Sequence, residues 1–416
     1  MQRRDFLSGL AGVAVAPQFA SFATGAEAKP KTILLRSAWD TINIGDIGHT
    51  PGTLRVLEQF LPNVQVVLWP SSINEPIEKM LTKRFPKLRI VRGSLPAKDA
   101  AATPVSAAIA EADLVIHNSS MSQSVTLMNY CRQIGKPFGY FGQSYFENFA
   151  TPENMAGLNA TAFTYCRETI TLEMLLEKGL KAPVYGFNPD GCFGIDVRND
   201  AAADAFLKEK GLEARKFITV QLRTNTQKHP GTDSFLNPAN PTPQQQADDE
   251  RRAEVFRQLI IKWVKVTGLK VLISPEVEKE ITHNKRLILD RLPAETAKNV
   301  VLRDKFWNAD EAASVFAQAH TVVCHEPHSC IIALAAGTPI LHTYSRFHSP
   351  KWHMFDDIGL EIMTADIDNY PTDDIIARLF AIHDDYPKAK QRVKDAMAFV
   401  YKKFGESTTV IGNLLG

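Results

Sequence analysis

The chain has 416 residues, a formal net charge of +1 and 44% hydrophobic residues. That length exceeds one ordinary core and suits two domains, and so balanced a charge argues against nucleic acid or bulk anionic membrane as general partners. The five cysteines, Cys131, Cys166, Cys192, Cys324 and Cys330, include no CxxC pair and read as buried, inert thiols.

The first 28 residues read as a targeting segment rather than as fold. Arg3-Arg4-Asp5-Phe6-Leu7 precedes an apolar stretch from Leu7 to Ala16, and Ala26-Glu27-Ala28 offers a small-x-small cleavage site. This is the pattern of a twin-arginine export signal, and it sets the expectation of a periplasmic or extracellular protein beginning near Lys29. The alternative is a chance arginine pair before an ordinary secretory signal. Removing Arg3, Arg4, Asp5 and Glu27 leaves the charge at +1. No later stretch is long and apolar enough to span a bilayer.

From Thr32 onward strands and helices alternate. Ile33 to Ser37 is an apolar strand, Asn43 to Gly52 a polar glycine-bearing turn, and Thr53 to Phe60 an amphipathic helix. Strands are expected at Val64–Trp69, Leu88–Val91, Leu114–His117, Pro137–Phe141 and Phe163–Cys166, with helices between them. Gly142-Gln143-Ser144 reads as a turn, and Pro189-Asp190 closes this half. Phe217 to Leu222 opens a second set of strands, ending at Arg223. Residues 226–248 read as a long polar insertion, followed by a helix from Arg251 to Thr267 and strands at Lys270–Ser274 and Val300–Arg303. Two terminal helices occupy Tyr370 to Lys403. The repetition predicts an α/β chain of two Rossmann-like domains facing across a cleft, at residues 29–196 and 197–416.

One unit stands out. Thr321 to Cys324 is a short buried strand, His325-Glu326-Pro327-His328 opens a helix, Gly337 stops it, and Ile340 to Tyr344 is the next strand. This is a βαβ unit, and ligands bind where its strand carboxyl end meets its helix amino end. His325, Glu326 and His328 stand there. Each also has a plain structural reading, as a helix-start or packing residue. Six histidines lie between His320 and His353, but His325-x-x-His328 lacks the HExxH spacing and has no obvious third ligand, so neither a metal nor another cofactor is expected.

Several motifs line up in order: Asn43-x-Gly45-Asp46, Gly142-Gln143-Ser144, Arg167-Glu168, Pro189-Asp190, Arg223, then His328, Gly337-Thr338-Pro339, Tyr344 and Lys351. Together they resemble the polysaccharide pyruvyl transferase family over residues 32–360. The resemblance implies a glycosyltransferase-B-like fold and transfer of a pyruvyl group from phosphoenolpyruvate, or another anionic donor, to hydroxyls of a polysaccharide or oligosaccharide. It implies His328 as acid/base, Arg223 and Lys351 as anion holders, and Asn43 and Asp46 lining the first-domain side of the cleft. His325, Glu326 and Tyr344 complete the expected binding residues. Where the family often has an arginine two residues before the histidine, this chain has Glu326. Two alternatives on the same scaffold stay open: a non-catalytic carbohydrate-binding protein, and a glycosyltransferase-like enzyme with another donor.

Overall fold

A computed structural model describes residues 29–97, 100–120, 125–224, 242–346 and 349–416. The export-signal reading falls on residues 1–28, and most of the expected polar insertion on 225–241; both lie outside the described residues.

Two parallel sheets carry the chain. The first holds β1 (Thr32–Ser37), β2 (Gln65–Pro70), β3 (Arg89–Ile90), β4 (Leu114–Asn118), β5 (Phe138–Gln143), β6 (Phe163–Cys166) and β7 (Tyr185–Phe187), in the order β3-β2-β1-β4-β5-β6-β7. The second holds β8 (Phe217–Gln221), β9 (Lys270–Ile273), β10 (Val300–Leu302), β11 (Thr321–Cys324), β12 (Ile340–Tyr344) and β13 (Thr364–Asp366), in the order β10-β9-β8-β11-β12-β13. Central strands such as β4, β8, β11 and β12 are buried throughout, as both faces of a parallel sheet must be when helices cover them. Each sheet reverses its strand order once, between β1 and β4 and between β8 and β11. A crevice opens outside the strand ends at such a reversal.

Five helices matter for the site: α1 (Ile44–Phe60), α2 (Thr169–Glu177), α3 (Pro243–Thr267), α4 (Pro327–Ala335) and α5 (Tyr386–Leu415). The expected turn at Asn43 to Gly52 is in fact the first half of α1. Asn43 caps it, its Oδ1 accepting from the N–H of Gly45 (2.8 Å) and Asp46 (3.4 Å). Gly45, Gly48 and Gly52 share one face of the helix, and their role is close approach rather than turning. A Cβ on Gly45 would lie 2.4 Å from the His328 ring, and one on Gly52 would lie 2.1 Å from the Gly191 carbonyl. Thr50 ties the helix to the end of β1 through Ser37 (2.7 Å) and the N–H of Ala38 (3.0 Å).

Two further expectations are corrected. Gly142 and Gln143 extend β5 instead of forming a turn. Gly142 sits at φ +74, where the register with β6 shifts, a bulge position glycine suits. Helix α3 starts at Pro243, not Arg251, because Thr242 and Gln245 form a reciprocal capping box.

The halves meet through specific bonds. The Ile44 N–H donates to the Glu276 carbonyl (2.9 Å), and Asn43 bridges Val277. The N–H and hydroxyl of Thr169, at the start of α2, both donate to the Asp357 carboxylate (2.8 and 2.5 Å). Helix α5 returns to the first sheet, where Ser407 donates to Asn188 (2.7 Å) and Phe404 stacks with Phe141. No helix among the described residues is long and apolar enough to cross a membrane.

Candidate active site

The amino ends of α1 and α4 face each other where the two crevices meet. His328, in the first turn of α4, is 2% exposed and turned towards the first domain. Its Nδ1 lies 3.2 Å from Glu276 Oε1, and its Nε2 lies 3.8 Å from Asp190 Oδ2. Glu276 also accepts from the N–H and hydroxyl of Ser329 (2.6 and 2.8 Å), so one carboxylate both fixes the ring and caps α4. His49, one turn into α1, meets the His328 ring edge-on at 4.8 Å between centroids. Its Nδ1 is 2.9 Å from Asp190 Oδ1, out of line for a good hydrogen bond. Asn118, at the end of β4, holds this turn of α1 by donating to the His49 carbonyl (3.1 Å) and Thr53 Oγ1 (3.1 Å).

A buried chain of charges leads away from Asp190. Arg167 NH1 donates to Asp190 Oδ2 (2.5 Å), and Arg167 Nε donates to Ser144 Oγ (2.6 Å). The Ser144 hydroxyl in turn donates a hydrogen bond to Glu168 Oε1 (2.6 Å). Arg167, Glu168 and Asp190 are buried, and buried charges persist only when paired in this way.

The pKa shifts follow from these neighbours. Burial would raise Asp190, but His49, Arg167 and His328 outweigh it and hold the carboxyl well below its usual range. Burial and Lys351 both pull His328 down; the Asp190 and Glu276 carboxylates outweigh them, and its pKa lies above the ordinary histidine value. His49 falls below it because burial dominates. The Lys351 residue is half-buried, but its ammonium is crowded by the junction, and burial together with Arg167 lowers it to about 8.

Of the residues expected from sequence, His328, Asp46, Glu326, Arg223 and Lys351 gather here: Asp46 and Lys351 both act on His328, and Lys351 also feels Glu326 and Arg223. Arg223 is ion-paired to Glu326. Asn43 is at the junction, but its side-chain oxygen serves the α1 cap. His325 is buried at the end of β11. Tyr344 stacks on Trp352 at 4.9 Å between centroids, with Arg346 over the other ring. The sequence points to His49 only as part of the polar Asn43–Gly52 stretch, does not single out Glu276, and offers Asp190 as domain closure. Their common signal is position: Glu276 and Asp190 each stand just beyond the carboxyl end of a strand.

Residues 43–345 match the family described as polysaccharide pyruvyl transferase. The chain belongs to that family. No curated protein matches it. Among solved structures, this family member resembles Anabaena HepE in complex with UDP-glucose, with a TM-score of 0.55, 11% identity and coverage of 92% of this chain and 98% of that one. It resembles the UDP-GlcNAc 2-epimerase of Neisseria meningitidis bound to UDP-GlcNAc (0.54, 9%, 92% and 99%). It also resembles that of Methanocaldococcus jannaschii (0.52, 11%, 84% and 91%). At such identities the likeness is one of fold, and it places this pyruvyl transferase family member among glycosyltransferase-B-like proteins.

Proposed function

We propose that the protein transfers a pyruvyl group from phosphoenolpyruvate to two hydroxyls of a cell-envelope or exported polysaccharide, with His328 as the proton donor. The observation that carries this reading is the His328 ring, fixed on Nδ1 by Glu276 and left with Nε2 directed at the junction. In a general-acid step Nε2 delivers its proton to the methylene carbon of the enol phosphate, and positive charge develops at the carbon bearing the phosphate. One sugar hydroxyl adds there and releases its proton. The carbon–oxygen bond to phosphate then breaks, and the second hydroxyl closes the ketal as its proton leaves with the inorganic phosphate; the proton released by the first hydroxyl restores His328. Lys351 supplies a cation for the carboxylate and phosphate, while Arg167, buried and paired with Asp190, sets the charge of the cluster behind His328. Arg223 already has Glu326 as counter-ion, and that pair suits a sugar hydroxyl, which needs both a donor and an acceptor. Because His328 is almost fully buried, donor entry requires the halves to part along the junction. The Arg3-Arg4 pair supports export of the folded chain.

Phosphate release from phosphoenolpyruvate in the presence of oligosaccharide acceptors, with a ketal methyl signal in the product, tests the reading. Release without a ketal, or no release with any acceptor, counts against it. The Arg223–Glu326 pair also favours a second reading, a glycosyltransferase-like enzyme using a nucleotide sugar, since it removes one free cation from the anion side. Turnover of a UDP-sugar in the same assay would select it.

A further inference from the structure

The group formed by His49, Asp190 and His328 has a second chemistry open to it. One ligand-capable atom from each lies within 4.8 Å of the others, and the three residues are at most 2% exposed. We infer that these three side chains form a binding site for a divalent transition-metal ion of the zinc class.

Four observations support this. Two neutral-capable imidazoles and one carboxylate are a donor set that zinc accepts. His49 Nδ1 and His328 Nε2 both face the Asp190 carboxylate, at 2.9 and 3.8 Å, and neither is well aligned for a hydrogen bond to it, so two buried ring nitrogens and a carboxylate point at one another with room for a shared ion. His328 gives its other nitrogen to Glu276 at 3.2 Å, the carboxylate–histidine arrangement that orients a metal ligand and raises its basicity. Finally, Asp190 already has outer partners on both oxygens, the Cys192 N–H on Oδ1 (2.8 Å) and Arg167 on Oδ2 (2.5 Å). These leave the carboxylate in place as a ligand with its own support.

The plainer account is a buried charge cluster in which Asp190 simply neutralises Arg167 and a protonated histidine. It explains the charges, but not why two ring nitrogens from the two halves converge on one carboxylate without either being aligned for a hydrogen bond to it. The ligands come from α1, from the turn after β7 and from α4, so a bound ion would also fasten the two halves together. It would occupy the Nε2 position that the proposed acid needs for its proton. The ion is therefore expected to restrain pyruvyl transfer rather than to drive it.

Titration of the full, tag-free, chelator-treated chain with cobalt(II) and zinc(II) tests this without measuring transfer at all. The expected result is one tightly held ion, with the visible absorption of a low-coordinate cobalt site. Binding should weaken about 10–100-fold in Glu276→Gln, where only the supporting carboxylate is changed, and by more in His49→Ala. No stoichiometric binding overturns the inference, and so does binding that His49→Ala leaves unchanged. Should His49→Ala not fold, the cobalt spectrum of the unsubstituted chain decides: absence of low-coordinate bands is an equal refutation. A failed transfer assay would touch the proposed function and leave this result standing.

Discussion

His328 draws its character from what stands on either side of the ring. Glu276 fixes Nδ1 and Asp190 faces Nε2, and both carboxylates favour the charged imidazole against burial. Replacing His328 with Gln is expected to reduce phosphate release about 10²–10⁴-fold, while calorimetry still detects donor binding. Lys351 gives the pH dependence. Its pKa is about 8, lowered chiefly by burial, so the ammonium is charged below that value and lost above it. Affinity for phosphoenolpyruvate should therefore fall as pH rises through about 8. In Lys351→Arg, whose guanidinium stays charged, this fall should vanish; an unchanged profile in calorimetric titrations would remove Lys351 as an anion holder. That His328, Glu326 and Arg223 would meet at the junction was legible in the sequence because each sits at a strand end or helix start. Glu276 and Asp190 obey the same rule. They were passed over because a carboxylate after a proline is equally what a plain turn looks like.

Helix α1 shows why element boundaries were harder to read than element types. Asn43 to Gly52 carries three glycines and Pro51, a composition that local propensity assigns to a turn. Tertiary contact overrides it: the glycines form the face on which His328 and the Gly191–Gly194 turn lie. Gly45→Ala is expected to drive a methyl group into the His328 ring. It should destabilise the protein by about 1–3 kcal/mol through overpacking, lowering the thermal midpoint, and it should reduce phosphate release along with it. A variant of unchanged stability and activity would contradict the close approach of α1 to His328. Gly142 is the milder case, since one positive-φ glycine in β5 is easily taken for the end of the strand. The early start of α3 was visible in Thr242 and Gln245, a capping box hidden inside a polar, proline-bearing stretch.

At the scale of the molecule, alternation of apolar runs was enough to give two parallel sheets, because buried parallel strands read as continuous hydrophobic stretches. What alternation could not give is how the halves are fastened. Asp357 reaches across to cap α2 through both the N–H and hydroxyl of Thr169, a contact between residues far apart in the chain. Asp357→Ala should cost about 1–3 kcal/mol in a denaturant titration, as buried donors lose a charged partner; a cost near zero would show that this latch does not hold the halves. His328 is also out of solvent where the halves meet, and the proposed transfer depends on its release.

The central claim is that this junction receives phosphoenolpyruvate at His328. Calorimetric titration of phosphoenolpyruvate into the protein, beside His328→Ala and Lys351→Met, tests it most directly. The account predicts measurable binding that is abolished or strongly weakened in Lys351→Met and altered in heat and affinity in His328→Ala. No heat of binding at millimolar donor, or binding indifferent to both substitutions, would contradict it.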